Sequence, residues 1–395
     1  MTNGTPLWKS LFFEKRLPWR YKKLAEKIRY RFLNHIGSIY NLSKAILLKR
    51  TLAIYVGWAE CENLGDLLVF DAYKKMFPKI AFIHCNGNDM PSRIINFLYN
   101  LKIKKPILAL GGGTLINQLP EYLKKTKKYI KICDYSFCAG TGVADEKFWT
   151  GNPKFSKEWS QILKKIDRVG VRGQDSISRL NVFKLNKNIN LIGDAAIYLS
   201  KQSYRKKEKE KTIGINFTKI ASKNNIEYSN LEKNMLKVVE ELIKKQWKIK
   251  LVPIYYVDYL ILEAFRNKIN GKENVELIKS YLNFNTIHDE ISKCDVFIGE
   301  KLHSGVIAAM TRTPFALIEY QPKCRDFMRS IDFLEFSIRN EEIEYNTILG
   351  KINKLYNHKN YQTFLDKQIK KLLAKQEKFI EIIKKDLEKR NVLTN

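Results

Sequence analysis

The sequence predicts an α/β protein with two parallel-sheet halves that face each other across a cleft. Short apolar runs typical of buried strands alternate with helical patterns over most of the chain. A strand, helix, strand order of this kind favours parallel pairing. Residues 201–211, KQSYRKKEKEK, have almost no apolar content and interrupt the alternation. A chain of 395 residues is also long for one domain. We therefore expect two domains joined by this linker.

The same patterns predict the domain boundaries and two helical ends. The last helical pattern runs from Tyr361 to Arg390 and is rich in charge. The predicted divisions are a basic aromatic helical extension at 1–50, an N-terminal α/β domain at 51–200, the linker at 201–211, a C-terminal α/β domain at 212–338 and C-terminal helices at 339–395.

The chain is strongly basic, with 71 Lys and Arg against 41 Asp and Glu, a net charge of +30. Such a balance favours acidic partners, which here are phosphorylated small molecules, an anionic membrane face or nucleic acid. The alternative is a compositional background, since the chain is also rich in Asn and Ile. Charge alone leaves both interpretations open.

The basic charge is concentrated at residues 1–50, which hold twelve Lys or Arg and two Glu, a net charge of +10. Eight aromatic residues are interleaved with them. This pattern is typical of an interfacial helix on an anionic leaflet, and equally of a helical extension packed on the body of the protein. Under the first interpretation the protein is cytoplasmic and peripheral at the inner face of the cytoplasmic membrane.

The cysteines and the hydropathy exclude several classes of protein. The six cysteines show neither a CxxC pair nor the His spacing of a zinc site, as expected of buried thiols in a reducing cytosol. No stretch approaches the roughly 20 apolar residues of a membrane-spanning helix, and the N-terminus lacks a signal-peptide core. The Asp residues are scattered without metal-ligand spacing, so no metal is predicted.

Polar residues and glycines follow the predicted strands of the first half. After the run Thr51 to Gly57 come Asn63, Gly65 and Asp66 at the start of a helix. Gly65 allows close approach of the backbone to a ligand. Asp66 either caps the helix or accepts a proton from a sugar hydroxyl.

A glycine run, Gly111, Gly112 and Gly113, follows the strand Pro106 to Leu110. It is either a tight turn or a nest of backbone N–H groups that lines a cleft. It lacks the Gly-Lys-Ser/Thr ending of a Walker loop.

Later strand ends also carry polar side chains. Arg172, a natural fork for phosphate or carboxylate, and Ser176 follow one strand, although Ser176 is also a suitable helix-start residue. Asp194 follows the next strand, and Asn216 ends the first strand of the second half. Ligands of open α/β sheets bind outside the carboxyl ends of the strands, so these residues are candidates for the cleft.

The stretch from Gly299 to Lys323 is the most informative part of the chain. It follows an apolar strand and has the pattern of a helix and a second strand. Lys301, His303 and Ser304 lie at the first strand end, and Tyr320 and Lys323 at the second. The helix near Ser304 would direct unpaired N–H groups at an anion.

This stretch resembles the polysaccharide pyruvyl transferase family. Lys301-Leu302-His303-Ser304 and the segment Pro314 to Lys323 match its late motif, except that the family usually has Arg in place of Lys301. Other matching elements are Asn63-x-Gly65-Asp66, the triple glycine, Arg172 with Ser176, and Gly193-Asp194. The resemblance covers about residues 51–335 and implies two Rossmann-like domains in a GT-B-like arrangement, with the acceptor on the N-terminal side and the donor on the C-terminal side.

The resemblance implies transfer of a pyruvyl group from phosphoenolpyruvate to a sugar of a cell-surface polysaccharide, such as capsule or lipopolysaccharide, or of its lipid-linked precursor. The product is a cyclic ketal, and phosphoenolpyruvate is a co-substrate, so no further cofactor is expected. Arg172, Lys301, Ser304, Tyr320 and Lys323 would bind the donor.

The remaining candidates divide between catalysis and the acceptor. His303 would protonate carbon 3 of the donor, or else only hydrogen-bond its own turn. Asp66 or Asp194 would serve as base. The residues expected at the acceptor or cleft are Asn63, Gly65, Gly111, Gly112, Gly113, Ser176, Asp194 and Asn216.

Two other classes of protein account for part of the pattern. A nucleotide-sugar glycosyltransferase of the same architecture would need an acid in the late helix to hold the ribose, and Ser304 to Met310 has none. A basic RNA-binding or membrane-binding protein without catalytic activity would explain the charge but not polar residues at successive strand ends, and the chain has no RNA-binding signature.

Overall fold

The computed structural model describes residues 39, 40, 42, 43, 47, 50–59, 63–85, 90–100, 105–145, 151–185, 187–200, 210–219, 225–358 and 360–392. Most of the predicted basic extension and nearly all of the predicted linker lie outside these residues. The described strands form two six-stranded sheets, and every strand pair in them is parallel.

The first sheet and its helices form the N-terminal half. Its strands are β1 (Thr51–Val56), β2 (Ile80–His84), β3 (Ile107–Leu110), β4 (Tyr135–Thr141), β5 (Arg168–Val171) and β6 (Ile189–Leu191), in the order β2-β1-β3-β4-β5-β6. Its helices are α1 (Leu64–Met76), α2 (Met90–Asn100), α3 (Pro120–Tyr129), α4 (Lys154–Leu163) and α5 (Gln174–Asn181). Strands β1, β3 and β4 are buried along their whole length, as expected of a parallel sheet covered on both faces.

The second sheet and its helices form the C-terminal half. Its strands are β7 (Thr212–Asn216), β8 (Lys248–Leu251), β9 (Val275–Leu277), β10 (Val296–Gly299), β11 (Phe315–Ile318) and β12 (Ser337–Ile338), in the order β12-β11-β10-β7-β8-β9. Its helices are α6 (Asn225–Lys244), α7 (Tyr256–Arg266), α8 (Phe284–Ser292), α9 (Leu302–Thr311), α10 (Pro322–Ser330) and α11 (Tyr345–Asn357). This is the doubly wound order of dinucleotide-binding sheets, with its switch point between β7 and β10.

The last helix, α12 (Tyr361–Lys389), joins the two halves. Near its start, Asp366 pairs with Arg312 of the C-terminal half at 3.1 Å. Near its end, Asp386 pairs with Arg168 of the N-terminal half at 2.6 Å and accepts a hydrogen bond from Tyr135. A helix of 29 residues spans more than 40 Å at about 1.5 Å per residue, which is long enough to bridge two domains.

The architecture confirms the predicted α/β fold class with two parallel sheets. The two outermost strands of the second sheet, β9 and β12, were not predicted because they hold three and two residues and carry too little periodicity to recognise. Among the described residues, no helix is long and apolar enough to cross a membrane.

Candidate active site

One cleft of about 230 Å³ lies where the two halves meet. Its walls come from the carboxyl ends of strands in both sheets and from the first turns of α1, α9 and α10. The lining residues are Trp58, Asn63, Asp66, Gly113, Thr114, Asn117, Leu119, Glu121, Tyr122, Arg172, Ile254, Lys301, Leu302, His303, Tyr320, Gln321 and Lys323. This position agrees with the rule that open α/β sheets bind ligands at their switch points.

Asn63 and Asp66 lie at the start of α1, where the helix borders the cleft. The Asn63 side chain accepts a hydrogen bond from the backbone N–H of Gly65 at 3.1 Å and is the cap of α1. Asp66 lies within the first helical turn and lines the cleft. Of the two roles that the sequence left open for Asp66, capping therefore belongs to Asn63.

Arg172 follows β5 and is almost completely buried, with 1% of its surface exposed. One guanidinium nitrogen donates to the Thr114 hydroxyl at 3.2 Å, and another lies 3.8 Å from an oxygen of Asp194. Its Nε has no hydrogen-bond partner among the described residues. A buried cation with an unused donor is a suitable site for a ligand anion.

Gly142 leaves room for this guanidinium, because a Cβ atom there would lie 2.3 Å from Arg172 Nη2. Because residue 142 has no side chain, the backbone of the loop after β4 can lie close to the arginine.

Lys301 occupies the cap position of α9. Its Nζ lies 3.5 Å from Asp258 and 4.0 Å above the ring of Tyr255, so one buried carboxylate and one aromatic face hold the ammonium group. Burial raises the pKa of Asp258, and Lys301 opposes that rise. Asn216 lies behind this pair and accepts a hydrogen bond from the Lys301 backbone N–H at 3.2 Å.

His303 lies in the first turn of α9, and its side chain packs against the N-terminal half. Its Nε2 lies 3.6 Å from Asp194 Oδ2. A Cβ atom at Gly65 would lie 2.0 Å from His303 Nδ1, so only glycine lets α1 approach the imidazole this closely. His303 is thus held between the two halves at the edge of the cleft.

Asp194 is 1% exposed and stands behind both His303 and Arg172. Its second oxygen accepts a hydrogen bond from the Ala196 N–H at 3.0 Å. Burial raises the pKa of Asp194, but His303 and Arg172 together outweigh burial, so the pKa lies below its usual value. Asp194 is therefore ionised at neutral pH, although it does not line the cleft itself.

Lys323 and Tyr320 form the far wall of the cleft. The Lys323 Nζ lies 5.0 Å above the Tyr320 ring. Burial lowers the pKa of Lys323 to about 8, and the positive charges of Arg172 and Lys301 add to that effect. Burial also raises the pKa of Tyr320 well above its ordinary value, so this hydroxyl stays neutral.

Several of the predicted site residues lie next to the cleft without lining it. Ser304 donates its hydroxyl to the Lys301 carbonyl at 2.7 Å and so stabilises the turn that presents Lys301. Ser176 donates to Asp326 at 2.9 Å. The other predicted residues outside the lining are Gly65, Gly111, Gly112, Asp194 and Asn216.

The cleft also includes residues that sequence reasoning did not select. Trp58 follows β1 and is 47% exposed, and Thr114 ends the glycine run and holds Arg172. Trp58 directly follows the predicted run Thr51 to Gly57, and Thr114 directly follows the predicted glycine run. Their position after a predicted strand could therefore have indicated that they line the cleft. Asp258, in the first turn of α7, does not line the cleft, and no signal in the sequence would link it to Lys301.

Solved structures with similar folds share little sequence with this chain. The Staphylococcus aureus MnaA–UDP co-structure has a TM-score of 0.55 and 13% identity, covering 88% of this chain and 98% of that one. The UDP-GlcNAc 2-epimerase of Methanocaldococcus jannaschii has a TM-score of 0.54 and 10% identity, with coverages of 78% and 93%. The Neisseria meningitidis UDP-GlcNAc 2-epimerase bound to UDP-GlcNAc has a TM-score of 0.53 and 12% identity, with coverages of 85% and 100%. These similarities show that the fold is of the GT-B type.

Comparison with curated proteins gives no match. Comparison with protein families gives a match over residues 63–322, to the family described as polysaccharide pyruvyl transferase. The matched range includes Asn63, Arg172, Asp194 and His303, and it ends at the first residue of α10. Because it spans well over half of the sequence, the chain belongs to the polysaccharide pyruvyl transferase family.

Proposed function

We propose that this protein transfers a pyruvyl group from phosphoenolpyruvate to two hydroxyls of a sugar, forming a cyclic ketal. The observation that carries the proposal is the convergence of Arg172, Lys301, Lys323 and His303, from both halves, on one cleft. Phosphoenolpyruvate carries a phosphate and a carboxylate, so its binding needs several cations close together.

The donor would occupy the part of the cleft between these cations. Arg172 lines this part of the cleft, and its guanidinium would bind one oxygen of the ligand. Helices α9 and α10 begin at the cleft, and neither has a side-chain cap. Pro322 has no backbone N–H, and the Ser304 and Cys324 N–H groups donate to the carbonyls three residues earlier. The N–H groups left for the phosphate or the carboxylate are those of Leu302, His303 and Lys323.

His303 would supply the proton that starts the reaction. Protonation of carbon 3 makes carbon 2 electrophilic, and the first sugar hydroxyl attacks it. Phosphate then leaves with the electron pair of its carbon–oxygen bond, and the second hydroxyl completes the ketal. Of the two hydroxyl protons, one balances the proton taken up at carbon 3 and the other leaves with phosphate.

The acceptor sugar would lie against the N-terminal half. Asp66 lines the same cleft as His303 and would accept a hydroxyl proton. Asn63 and Asn117 also line the cleft and would offer polar contacts. The exposed ring of Trp58 gives a flat apolar surface for a sugar ring. The acceptor would be a cell-surface polysaccharide unit or its lipid-linked precursor.

The test is incubation of the protein with phosphoenolpyruvate and candidate lipid-linked sugars. We expect phosphate release that depends on the acceptor, together with a product heavier than the acceptor by one pyruvyl group. Parallel reactions contain a UDP-sugar as the donor. Transfer of sugar from that donor, with no reaction of phosphoenolpyruvate, would contradict the proposal and favour a glycosyltransferase.

We also propose that residues 1–50 hold the protein at the inner face of the cytoplasmic membrane. The support is their composition, with a net charge of +10 and eight aromatic residues. Binding to liposomes should require anionic lipid and weaken with added salt. Equal binding by a chain that begins at Thr51 would show that another segment is responsible.

A further inference from the structure

Helix α5 begins two residues after Arg172, and its cap position is Gly173, which has no side chain to satisfy the first N–H groups. A residue of the C-terminal half supplies the missing cap. Asp326 of α10 accepts a hydrogen bond from the Asp175 backbone N–H at 2.8 Å and another from the Ser176 hydroxyl at 2.9 Å. A carboxylate at this place also interacts favourably with the positive end of the helix dipole.

The contact between Asp326 and α5 is tight and buried. Asp326 is 1% exposed, and Ser176 is buried to the same extent. A Cβ atom at Gly173 would lie 2.0 Å from Asp326 Oδ1. The backbone of Gly173 is extended, with φ −147° and ψ 176°, which any residue can adopt. The glycine is therefore required by the approach of Asp326 and not by the conformation of its own loop.

This contact lies between two of the cations of the cleft. On one side, Arg172 directly precedes Gly173 at the start of α5. On the other side, Lys323 lies three residues before Asp326, about one turn earlier on α10. Lys323 and Arg172 come from different halves. Because the contact holds α10 against α5, it fixes the position of Lys323 relative to Arg172.

We propose that Asp326 is a positioning residue that assembles the donor site by capping α5 across the two halves. This inference rests on the proposed function, because the contact of Asp326 with α5 would set the relative positions of the cations that bind the donor. It also gives Ser176 a role in that assembly, as the hydroxyl that binds Asp326.

The same interface contains a matched control. Arg329, also on α10, pairs with the side chain of Asp175 on α5, and 42% of the Arg329 side chain is exposed. Exposed ion pairs contribute little. Arg329→Ala removes a charge from the same helix and the same interface, but it leaves the cap in place.

The test measures phosphoenolpyruvate affinity by calorimetry in Asp326→Ala, Gly173→Ala and Arg329→Ala. Loss of a charge-assisted contact predicts an affinity roughly 10 to 100 times weaker for Asp326→Ala. Gly173→Ala should weaken affinity in the same direction, since its methyl group displaces Asp326 while both partners remain. Arg329→Ala should stay within about threefold of the wild type, as expected of an exposed pair.

A second measurement separates positioning from general destabilisation. In a double-mutant cycle, Asp326→Ala and Ser176→Ala should be strongly non-additive in phosphoenolpyruvate affinity, because each removes the same contact. Thermal unfolding shows which variants are folded, and if Asp326→Ala is not, Gly173→Ala and Ser176→Ala carry the test. Unchanged affinity in folded Gly173→Ala and Ser176→Ala would overturn the proposal.

The arrangement of the two halves can be measured without any ligand. Spin labels at Val182→Cys and Ile226→Cys, exposed residues of opposite halves, report the distance between the halves. The chain without these two cysteines serves as the background. We expect a longer or broader distance distribution in Gly173→Ala and an unchanged one in Arg329→Ala. If the wild type fails to bind phosphoenolpyruvate, the proposed function fails, while this distance still decides whether Asp326 holds the halves together.

Discussion

Each half of the molecule places a buried carboxylate beside its own cation, whereas His303 of one half lies beside a carboxylate of the other. In the N-terminal half, Arg172 has the buried Asp194 beside it at 3.8 Å. In the C-terminal half, Lys301 has the buried Asp258 at 3.5 Å. His303 belongs to the C-terminal half, yet its nearby carboxylate is Asp194 of the other half, at 3.6 Å. Each half can therefore hold its own cation in place, whereas the surroundings of the histidine exist only when the halves meet.

The two halves differ in how they place these groups. The N-terminal half uses glycines: Gly113 has a φ of +90°, and Gly142 and Gly65 leave room for Arg172 and His303. The C-terminal half uses buried polar contacts, in which Asn216 holds the Lys301 backbone and Glu300 accepts from the Thr218 N–H at 2.7 Å. Substitutions that add a side chain at a glycine should therefore disturb the site groups of the N-terminal half most. Substitutions that remove a hydrogen bond should disturb those of the C-terminal half most.

The largest effect is expected at His303, the group shared between the halves. His303→Gln keeps a polar side chain but cannot deliver a proton, so turnover should fall roughly 10²–10⁴-fold, the usual range for a lost general acid. Phosphoenolpyruvate affinity should change little, since the cations remain. Steady-state kinetics and calorimetry separate the two quantities. Nearly full turnover in His303→Gln would show that the residue only positions the substrate.

The next effect is expected at Arg172. Arg172→Ala removes a buried charge that would pair with the donor, and binding of phosphoenolpyruvate should weaken by roughly 1.5–3 kcal/mol. Arg172→Lys keeps the charge but loses the planar fork, so it should recover only part of the affinity. Calorimetry provides the measurement, and Lys371→Met, on the exposed face of α12, is a charge-matched control. Unchanged donor affinity in Arg172→Ala would remove this residue from the donor site.

A paired substitution tests the comparison itself. Asp194→Asn should lower both donor affinity and turnover, because Asp194 lies beside Arg172 and His303. Asp258→Asn should lower donor affinity alone, because it contacts Lys301 and not the histidine. We expect changes of roughly tenfold, the effect of about 1.4 kcal/mol. Equal effects of the two variants on turnover would show that the histidine does not depend on the opposite half.

The sequence predicted much of the fold because buried parallel strands are continuous apolar runs. The predicted runs Thr51 to Gly57 and Pro106 to Leu110 agree with β1 and β3 to within one residue. The pattern after β10 led directly to Lys301 and His303. Positions at strand ends are local, so short-range pattern identifies them.

What the sequence could not supply is the contacts between distant segments. Asp194 and His303 are 109 residues apart, and Ser176 and Asp326 are 150 residues apart. No periodicity encodes which half faces which, nor the direction in which a side chain leaves a strand end. Ser176 and Asp194 were thus selected by their position at strand ends, but their partners became apparent only from the arrangement of the halves.

The smallest expected effect concerns Lys323, whose pKa burial lowers to about 8, with Arg172 and Lys301 adding to the shift. Since the donor is an anion, its affinity should be highest below pH 8, where the ammonium is charged, and should decline as pH rises above 8. Titration of phosphoenolpyruvate affinity between pH 6.5 and 9.5, about 1.5 pH units on either side of that pKa, measures this decline. Lys323→Met should bind more weakly, and this part of its pH dependence should disappear.

In the absence of the donor, Lys323 should lower the free energy of unfolding of the protein. Its pKa in the folded protein lies below the ordinary value of 10.5, so the unfolded chain binds more protons between pH 8 and 10.5. Stability therefore rises with pH across that window, and the cost of Lys323 is largest below pH 8. Lys323→Met should raise the melting temperature at pH 7 by a few degrees, and by less at pH 10, whereas Lys371→Met should do neither. A lower melting temperature for Lys323→Met at pH 7 would show that this lysine stabilises the empty cleft, and that its charge is balanced there without the donor.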